Sequence, residues 1–236
     1  MDVAAQSKEL LDIIAGGGVA IVPLDVAYAI VGNTESAIRR IFSAKARSYE
    51  KPCGMFSNWD LFSEIQIVGA RERDIVRTII FDYDLPTSTV APFRADHPIF
   101  RDVAPFVLER STKAKTLDML LNAGAFHNEM TKQSYERMTP IVRSSANTSL
   151  SGTKYRLEDI DAPVVDAGDL VIDGGLSKYH NADGRASSII DMRTFKTVRV
   201  DVCYERLCDV FKKDFDLDLL EIGMAYAGGG TRGEVI

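Results

Sequence analysis

An abrupt change of pattern near the amino terminus, at three consecutive glycines, constrains the fold more than any other feature of this chain. Residues 3–14 carry apolar side chains at helical spacing, and Gly16-Gly17-Gly18 end that pattern because glycine weakens a helix. Residues 19–24 then form an unbroken apolar run, which predicts a buried strand. A helix that leads directly into a buried strand is typical of α/β proteins.

The rest of the chain continues to mix helical and strand patterns. Helices are predicted at 34–46, 71–81, 116–122, 128–138 and 204–212. Strands are predicted at 53–57, 87–93, 106–109, 140–143, 187–192 and 197–202, and residues 164–172 are rich in strand-forming side chains. We therefore expect an α/β fold with a mixed sheet, with a single domain over 1–225 and a loose tail at 226–236.

Composition argues against several classes of protein. The 236 residues carry a net charge of −6, which argues against nonspecific nucleic-acid binding as the main activity. No apolar stretch approaches the roughly 20 residues that span a bilayer, and the amino terminus lacks a secretory pattern, so we expect a cytoplasmic protein without a membrane segment. The three cysteines and three histidines lack metal-ligand spacing, and no metal site or disulfide framework is predicted.

Two segments near the amino terminus carry candidate functional groups. The strand at 19–24 would deliver Asp25 and Tyr28 to its carboxyl end, where open α/β sheets bind ligands, although a tight turn with a buried tyrosine also explains the pattern. Lys45, Arg47 and Lys51 place three cations within seven residues, just before a proline that stops any helix. They predict a site for a nucleoside triphosphate, with a solvated charged turn as the alternative.

Two further segments supply small hydrogen-bonding groups at strand ends. Ser144, Ser145 and Asn147 follow the strand at 140–143, where hydroxyls and an amide suit phosphate oxygens or a ribose. Ser187 and Ser188 begin the strand at 187–192, after glycines that allow the backbone to approach a ligand. Each segment is also explained as an ordinary polar loop.

Taken together and in this order, the four segments resemble the YrdC-like family of threonylcarbamoyl-adenylate synthases. The family carries Pro-Thr-Asp-Thr-Val-Tyr-Gly, then Lys-x-Arg with a following Lys-Pro, then Ser-x-Asn, then Ser-Thr-Val-Val-Asp. The counterparts here lie at 23–29, 45–52, 145–147 and 187–191, and the similarity covers roughly residues 8–200. Agreement in order and spacing is more specific than any single segment.

The resemblance implies a YrdC/RibB-like twisted mixed sheet with flanking helices and a central cavity. It also implies the conversion of ATP, bicarbonate and L-threonine to threonylcarbamoyl-AMP and pyrophosphate, with magnesium, for modification of tRNA adenosine. Further expectations are weak RNA binding and hand-off of the product to a tRNA-modifying complex. The implied residues are Lys45 and Arg47 for catalysis, these two with Lys51, Ser145, Asn147, Ser187 and Ser188 for ATP, and Leu24, Asp25, Val26, Tyr28 and Arg143 for the acceptor.

The chain also departs from the family pattern. Leu24 and Val26 stand where the family has threonines, and no arginine-bearing strand is recognisable around 119–126. The phosphate-binding segments are kept while the acceptor wall becomes apolar, which raises two alternatives. The first is a paralogue that makes another carbamoyl or acyl adenylate from a different acceptor. The second is a non-catalytic module that binds nucleotides or double-stranded RNA.

Overall fold

The computed structural model describes residues 2–219, in which eight α-helices and ten β-strands are mixed along the chain. The helices are α1 Val3–Ala15, α2 Glu35–Ala44, α3 Trp59–Ile65, α4 Ala70–Arg77, α5 Pro105–Ser111, α6 Ala125–Arg137, α7 Ala162–Val165 and α8 Tyr204–Phe215. The strands are β1 Ala20–Val22, β2 Ala29–Gly32, β3 Gly54–Phe56, β4 Thr87–Pro92, β5 Thr112–Lys113, β6 Thr116–Leu121, β7 Val142–Ser145, β8 Leu170–Val171, β9 Ile189–Asp191 and β10 Lys196–Arg199. A π-helical turn at Thr78–Asp82 continues α4.

The strands form one mixed sheet in the order β10-β9-β4-β6-β3-β7-β2-β1-β8, and β5 pairs with β6. The pairs β1/β8, β3/β6 and β4/β9 are parallel, whereas the other pairs are antiparallel. Strand β7 therefore lies between β2 and β3, although more than 80 residues separate it from either of them in sequence. This arrangement brings the middle of the chain beside its amino-terminal segments.

Helices cover both faces of the sheet. On one face, α1 and α6 pack on apolar side chains of β1, β2, β3 and β6. On the other face, α2, α5 and α7 pack on β1, β2 and β7, while α3, α4 and α8 cover the opposite half. The face that bears α1 and α6 also bears a row of buried polar side chains, which are described below.

Two predicted elements are wrong. Residues 116–122 were expected to be helical, but 116–121 form strand β6 in the middle of the sheet. Leu117, Met119 and Leu121 all pack in cores on one side, and Leu120 packs on the other, so the apolar run is that of a strand buried on both faces. Residues 106–109 were expected to form a strand, but they lie in α5, which begins with a proline at its first position.

The remaining expectations about the fold are met, met in part or left as predictions. The segment 164–172 contains the end of α7 and then only the two-residue strand β8. No helix within 2–219 is both long and apolar enough to cross a membrane. The central cavity and the single domain at 1–225 stay predictions, and the expected tail at 226–236 lies outside the described residues. The twisted mixed sheet with flanking helices is confirmed.

Candidate active site

The end of α2 directs two of the predicted cations. The helix begins after Thr34, whose hydroxyl accepts a hydrogen bond from the Ala37 amide, and it ends at Lys45. Ala46 then adopts a left-handed conformation with φ of 46°, so the chain leaves the helix between Lys45 and Arg47. Residues two apart on a helix face different directions, so this break in the helix is what would allow Lys45 and Arg47 to contact one ligand.

Lys45 joins the α2 end to the turn after β7. Its side chain is 1% exposed, and its ammonium donates to the backbone carbonyls of Ser145 and Asn147 and, at 3.2 Å, to Asn147 Oδ1. Burial lowers the pKa of Lys45 to about 7, and the charge of Arg47 acts in the same direction. Lys45 thus fixes the turn that presents Ser145 and Asn147.

Arg47 closes the loop that follows. Its Nε and Nη2 donate to the backbone carbonyls of Lys51, at 3.2 Å, and Pro52, at 2.8 Å. Tyr49, within this loop, stacks on Phe42 of α2 with ring centroids 4.8 Å apart. These contacts hold the loop against α2, with Arg47 and Lys51 both half-buried.

Arg143 lies in the adjacent part of the sheet, on β7 and two residues before Ser145. Its Nη2 donates to Asp118 Oδ2 of β6 at 2.8 Å and to Ser88 Oγ of β4 at 3.1 Å. Gly54 of β3 lies between these strands, and a Cβ there would come within 3.0 Å of the guanidinium and 2.9 Å of the carboxylate. The pair can cross β3 because Gly54 has no side chain.

Three cations act electrostatically on the buried Cys53 thiol. Burial raises the pKa of the Cys53 thiol, while the charges of Arg47, Lys45 and Arg143 each act to lower it. These cations come from the end of α2, the following loop and β7. The structure therefore brings Arg143 into the neighbourhood of the predicted phosphate-binding residues.

The two serines at 187 and 188 differ in their surroundings. Ser187 Oγ lies 3.3 Å from Ser88 Oγ, on the side of Arg143, and 3.1 Å from Nη2 of Arg199. Ser188 is fully buried, and its hydroxyl donates to the carbonyl of Val202 at 3.0 Å. Ser187 therefore belongs to the polar row, whereas Ser188 ties β9 to the segment after β10.

Two charged residues of this row were missed in the sequence. Asp118 pairs with Arg143, and Arg199 pairs with the buried Asp201 at 2.7 Å while also donating to Ser187. The signal for Asp118 was a single charge inside the otherwise apolar stretch at 117–121. A charge in a strand that is buried on both faces needs a partner, so an isolated charge of this kind indicates a buried ion pair.

The segment at 23–29, which follows β1, is held by contacts from two sides. The Tyr28 hydroxyl is bonded to Asp173, to the carbonyl of Gly175 and to the amide of Gly174, and burial raises its pKa to about 12. Burial also raises the pKa of Asp25, whose carboxylate lies against Gly124 and 3.8 Å from the Lys178 ammonium.

Leu24 and Val26 are 7% and 2% exposed and belong to the core under α1 and α6. They do not form an open wall in this state. A cleft of about 330 Å³ opens nearby, between residues 178–185 and the start of α8.

Comparisons with known proteins identify the family and the fold of this chain. The family model Sua5_yciO_yrdC, described as "Telomere recombination", matches residues 12–200, which is most of the chain. No curated protein matches significantly.

Three solved structures share the fold. The hypothetical protein smu.1377c from Streptococcus mutans UA159 has a TM-score of 0.76 at 16% identity, over 91% of this chain and 93% of that one. P. abyssi Sua5 complexed with L-threonine has a TM-score of 0.71 at 17% identity, and the match covers 98% of this chain but 64% of that one. E. coli YciO has a TM-score of 0.58 at 18% identity, over 80% and 84% of the two chains. The resemblance seen in the sequence is confirmed, and this chain belongs to the Sua5/YciO/YrdC family.

Proposed function

We propose that this protein is a nucleotidyltransferase similar to threonylcarbamoyl-adenylate synthase. The reaction joins ATP, bicarbonate and L-threonine and yields threonylcarbamoyl-AMP, pyrophosphate and water. Family membership supports the class of activity. The observation that carries the proposal is the contact of Lys45 with the turn at Ser145 and Asn147, next to Arg47 and Arg143.

In this reaction the protein has to position the reactants and stabilise the charge that develops, and no protein nucleophile is needed. The acceptor amine and bicarbonate form an unstable carbamate with loss of water, and a carbamate oxygen then attacks the α-phosphorus of ATP as pyrophosphate leaves. Sheltering the carbamate and aligning it can supply much of the rate enhancement. Cations beside the triphosphate stabilise the charge that builds up on the departing pyrophosphate.

The site residues divide into two groups under this proposal. Lys45, Arg47 and Lys51 neutralise the triphosphate, and Ser145, Asn147 and Ser187 hydrogen-bond to phosphate or ribose oxygens, with Ser188 fixing the strand behind them. Asp25, Tyr28 and Arg143 lie towards the acceptor. No group of three histidine, cysteine or carboxylate side chains within 2–219 is placed to hold a metal. We therefore propose that magnesium enters with ATP, bound to the triphosphate.

Threonine is the first acceptor to test because the P. abyssi Sua5 structure was determined with L-threonine. A different acceptor is the second candidate, because Leu24 and Val26 are apolar and packed in the core. Apolar side chains at these two positions offer the threonine hydroxyl no partner, and a buried hydroxyl without a partner weakens binding. A panel of amino acids would separate the two candidates.

The test is pyrophosphate release from ATP, magnesium and bicarbonate with each amino acid, against a control without amino acid. We expect release that depends on one amino acid and falls at least about 100-fold in Lys45→Met and Arg47→Ala. Lys8→Met, which removes an exposed cation from α1, is the matched control and should keep full activity.

No release with any amino acid, while ATP still binds, would contradict the proposal and favour the binding-only module. That module would bind ATP or double-stranded RNA without turnover. Delivery of the product to a tRNA-modifying complex, weak RNA binding and a cytoplasmic location remain predictions that depend on the same result.

A further inference from the structure

The Arg143–Asp118 pair contains two buried polar atoms with opposite requirements. Arg143 Nε is a donor and Asp118 Oδ1 is an acceptor, and neither has a hydrogen-bond partner among the described residues. The two side chains are 13% and 22% exposed, so solvent reaches the pair only in part. Buried polar groups normally have partners, and a ligand that carries one acceptor and one donor would supply both of the missing ones.

The rest of the pair is already committed and therefore fixed in place. Nη2 of Arg143 donates to Asp118 Oδ2 and to Ser88 Oγ, and the guanidinium lies over Gly54. The Phe56 ring centroid lies 5.8 Å from the guanidinium carbon. A guanidinium held on several sides is preorganised to bind a planar anion.

The charge of the pair, rather than its position, points to the acceptor. Ser145 follows Arg143 by two residues on the same face of β7, and Ser187 is linked to the pair through Ser88. The pair thus lies between the two segments assigned to the nucleotide. Arg143 and Asp118 together are formally neutral, so they provide directional hydrogen bonds without the net positive charge that a triphosphate requires.

We propose that Asp118 and Arg143 clamp the zwitterionic head group of the acceptor amino acid. Arg143 Nε donates to the α-carboxylate, and Asp118 Oδ1 accepts from the α-amino group. When the amine has become a carbamate, its remaining N–H still donates to Asp118. The inference rests on the proposed function and adds to it that the acceptor is recognised by its amine and its carboxylate together.

The first test uses the unaltered protein and calorimetric titration, with and without magnesium and a non-hydrolysable ATP analogue. The probes are the tightest-binding amino acid of the panel and two analogues of it, one without the amine and one without the carboxylate. For L-threonine these are 3-hydroxybutyrate and 1-amino-2-propanol. We expect each analogue to bind at least about tenfold more weakly, because each leaves one charged group of the clamp unmatched.

Binding of either analogue within about threefold of the amino acid would overturn the clamp, and so would absence of binding by every amino acid under both conditions.

The second test assigns the two contacts. Asp118→Asn should weaken amino-acid binding and lose most of the discrimination against the analogue without an amine, while it keeps the discrimination against the analogue without a carboxylate. Arg143→Gln should show the reverse pattern. Asp12→Asn, which neutralises the carboxylate of the distant Arg137–Asp12 pair, is the matched control and should bind as the parent protein does. Equal loss for all probes in both variants would show a structural role only.

The outcomes separate this inference from the proposed function. Pyrophosphate release with unselective analogue binding would leave the function standing and remove the clamp. Selective binding of the zwitterion without pyrophosphate release would keep the clamp and remove the function.

Discussion

Gly54→Ala tests directly whether the Arg143–Asp118 pair depends on the bare backbone of β3. The added Cβ would lie 2.9 Å from Asp118 Oδ2 and 3.0 Å from Arg143 Nη2, so the ion pair has to move. Forcing one extra methyl into a packed site costs about 1–3 kcal/mol. The smaller conformational freedom of alanine in the unfolded chain offsets about 0.4–1 kcal/mol.

Because the ion pair is held on several sides, the upper part of the first range applies, about 2–3 kcal/mol, and the expected net loss in the free energy of unfolding is about 1–2 kcal/mol. In a chain of this size each kcal/mol lowers Tm by roughly 2–4 °C, so we expect a fall of about 2–8 °C. Urea unfolding and thermal melts of the purified protein would measure both quantities.

A double-mutant cycle shows whether the ion pair is the cause. In the Asp118→Ala background one of the two close contacts is gone and Arg143 is no longer held by its ion pair, so it can move away from the methyl and the cost of Gly54→Ala should fall by about 1 kcal/mol. Gly16→Ala is the control, because a Cβ at Gly16 meets its nearest atoms at an ordinary 3.4 Å. An unchanged Tm in Gly54→Ala, or an equal cost in both backgrounds, would refute the reasoning.

Three further predictions concern titration and loop order. Burial lowers the pKa of Lys45 to about 7, so at pH 8 the free protein holds it mostly neutral, and ATP should bind with uptake of up to about one proton. Calorimetry in two buffers of different ionisation enthalpy measures that uptake, and its persistence in Lys45→Met would contradict the assignment. Burial also lowers the pKa of His127 to about 4. The unfolded chain then binds more protons between pH 6.5 and 4, so stability is lost as the pH falls through this window, by up to about 3 kcal/mol. Urea unfolding at several pH values should show a smaller acid loss in His127→Gln, and an identical loss would argue against the buried neutral ring. Finally, Asp161 Oδ2 accepts hydrogen bonds from the Thr148 amide at 3.0 Å and from Ser151 Oγ at 2.9 Å. Asp161→Asn should speed amide exchange in residues 148–151 by about tenfold, whereas unchanged exchange would show that other contacts hold this loop.

The fold class was predictable because local patterns agree with the final elements over most of the chain. The helix at 3–14, the glycine break and the strand after it are present as expected. The two errors have one cause, which is that short apolar segments carry no decisive period. A strand buried on both faces, such as β6, has the same apolar run as a buried helix, and only its neighbours β3 and β4 decide.

Residues of the candidate site could be predicted where they stand together in short polar segments. They could not be predicted where their meeting depends on how two strands pair. Lys45, Arg47 and Ser145 stand in short polar segments that interrupt apolar ones, so they could be found directly. The meeting of Asp118 with Arg143 requires β6 and β7 to lie on either side of Gly54 in one register. The sequence around each residue does not say which strands become neighbours. The register matters as well, because a shift by one residue would turn each side chain to the other face of the sheet.

The central place of β7 in the sheet also has a consequence for the order of events during synthesis. The turn that Lys45 contacts lies a hundred residues further along the chain, and β7 is inserted between two strands that were made much earlier. Contacts of such long separation form late and slowly, since the loops between them must first be closed. The residues proposed to bind the triphosphate, Lys45, Ser145 and Asn147, therefore come together only when the middle of the sheet is closed. On this basis, nucleotide binding would distinguish finished molecules from partly folded ones during refolding, and it would do so before any product is made.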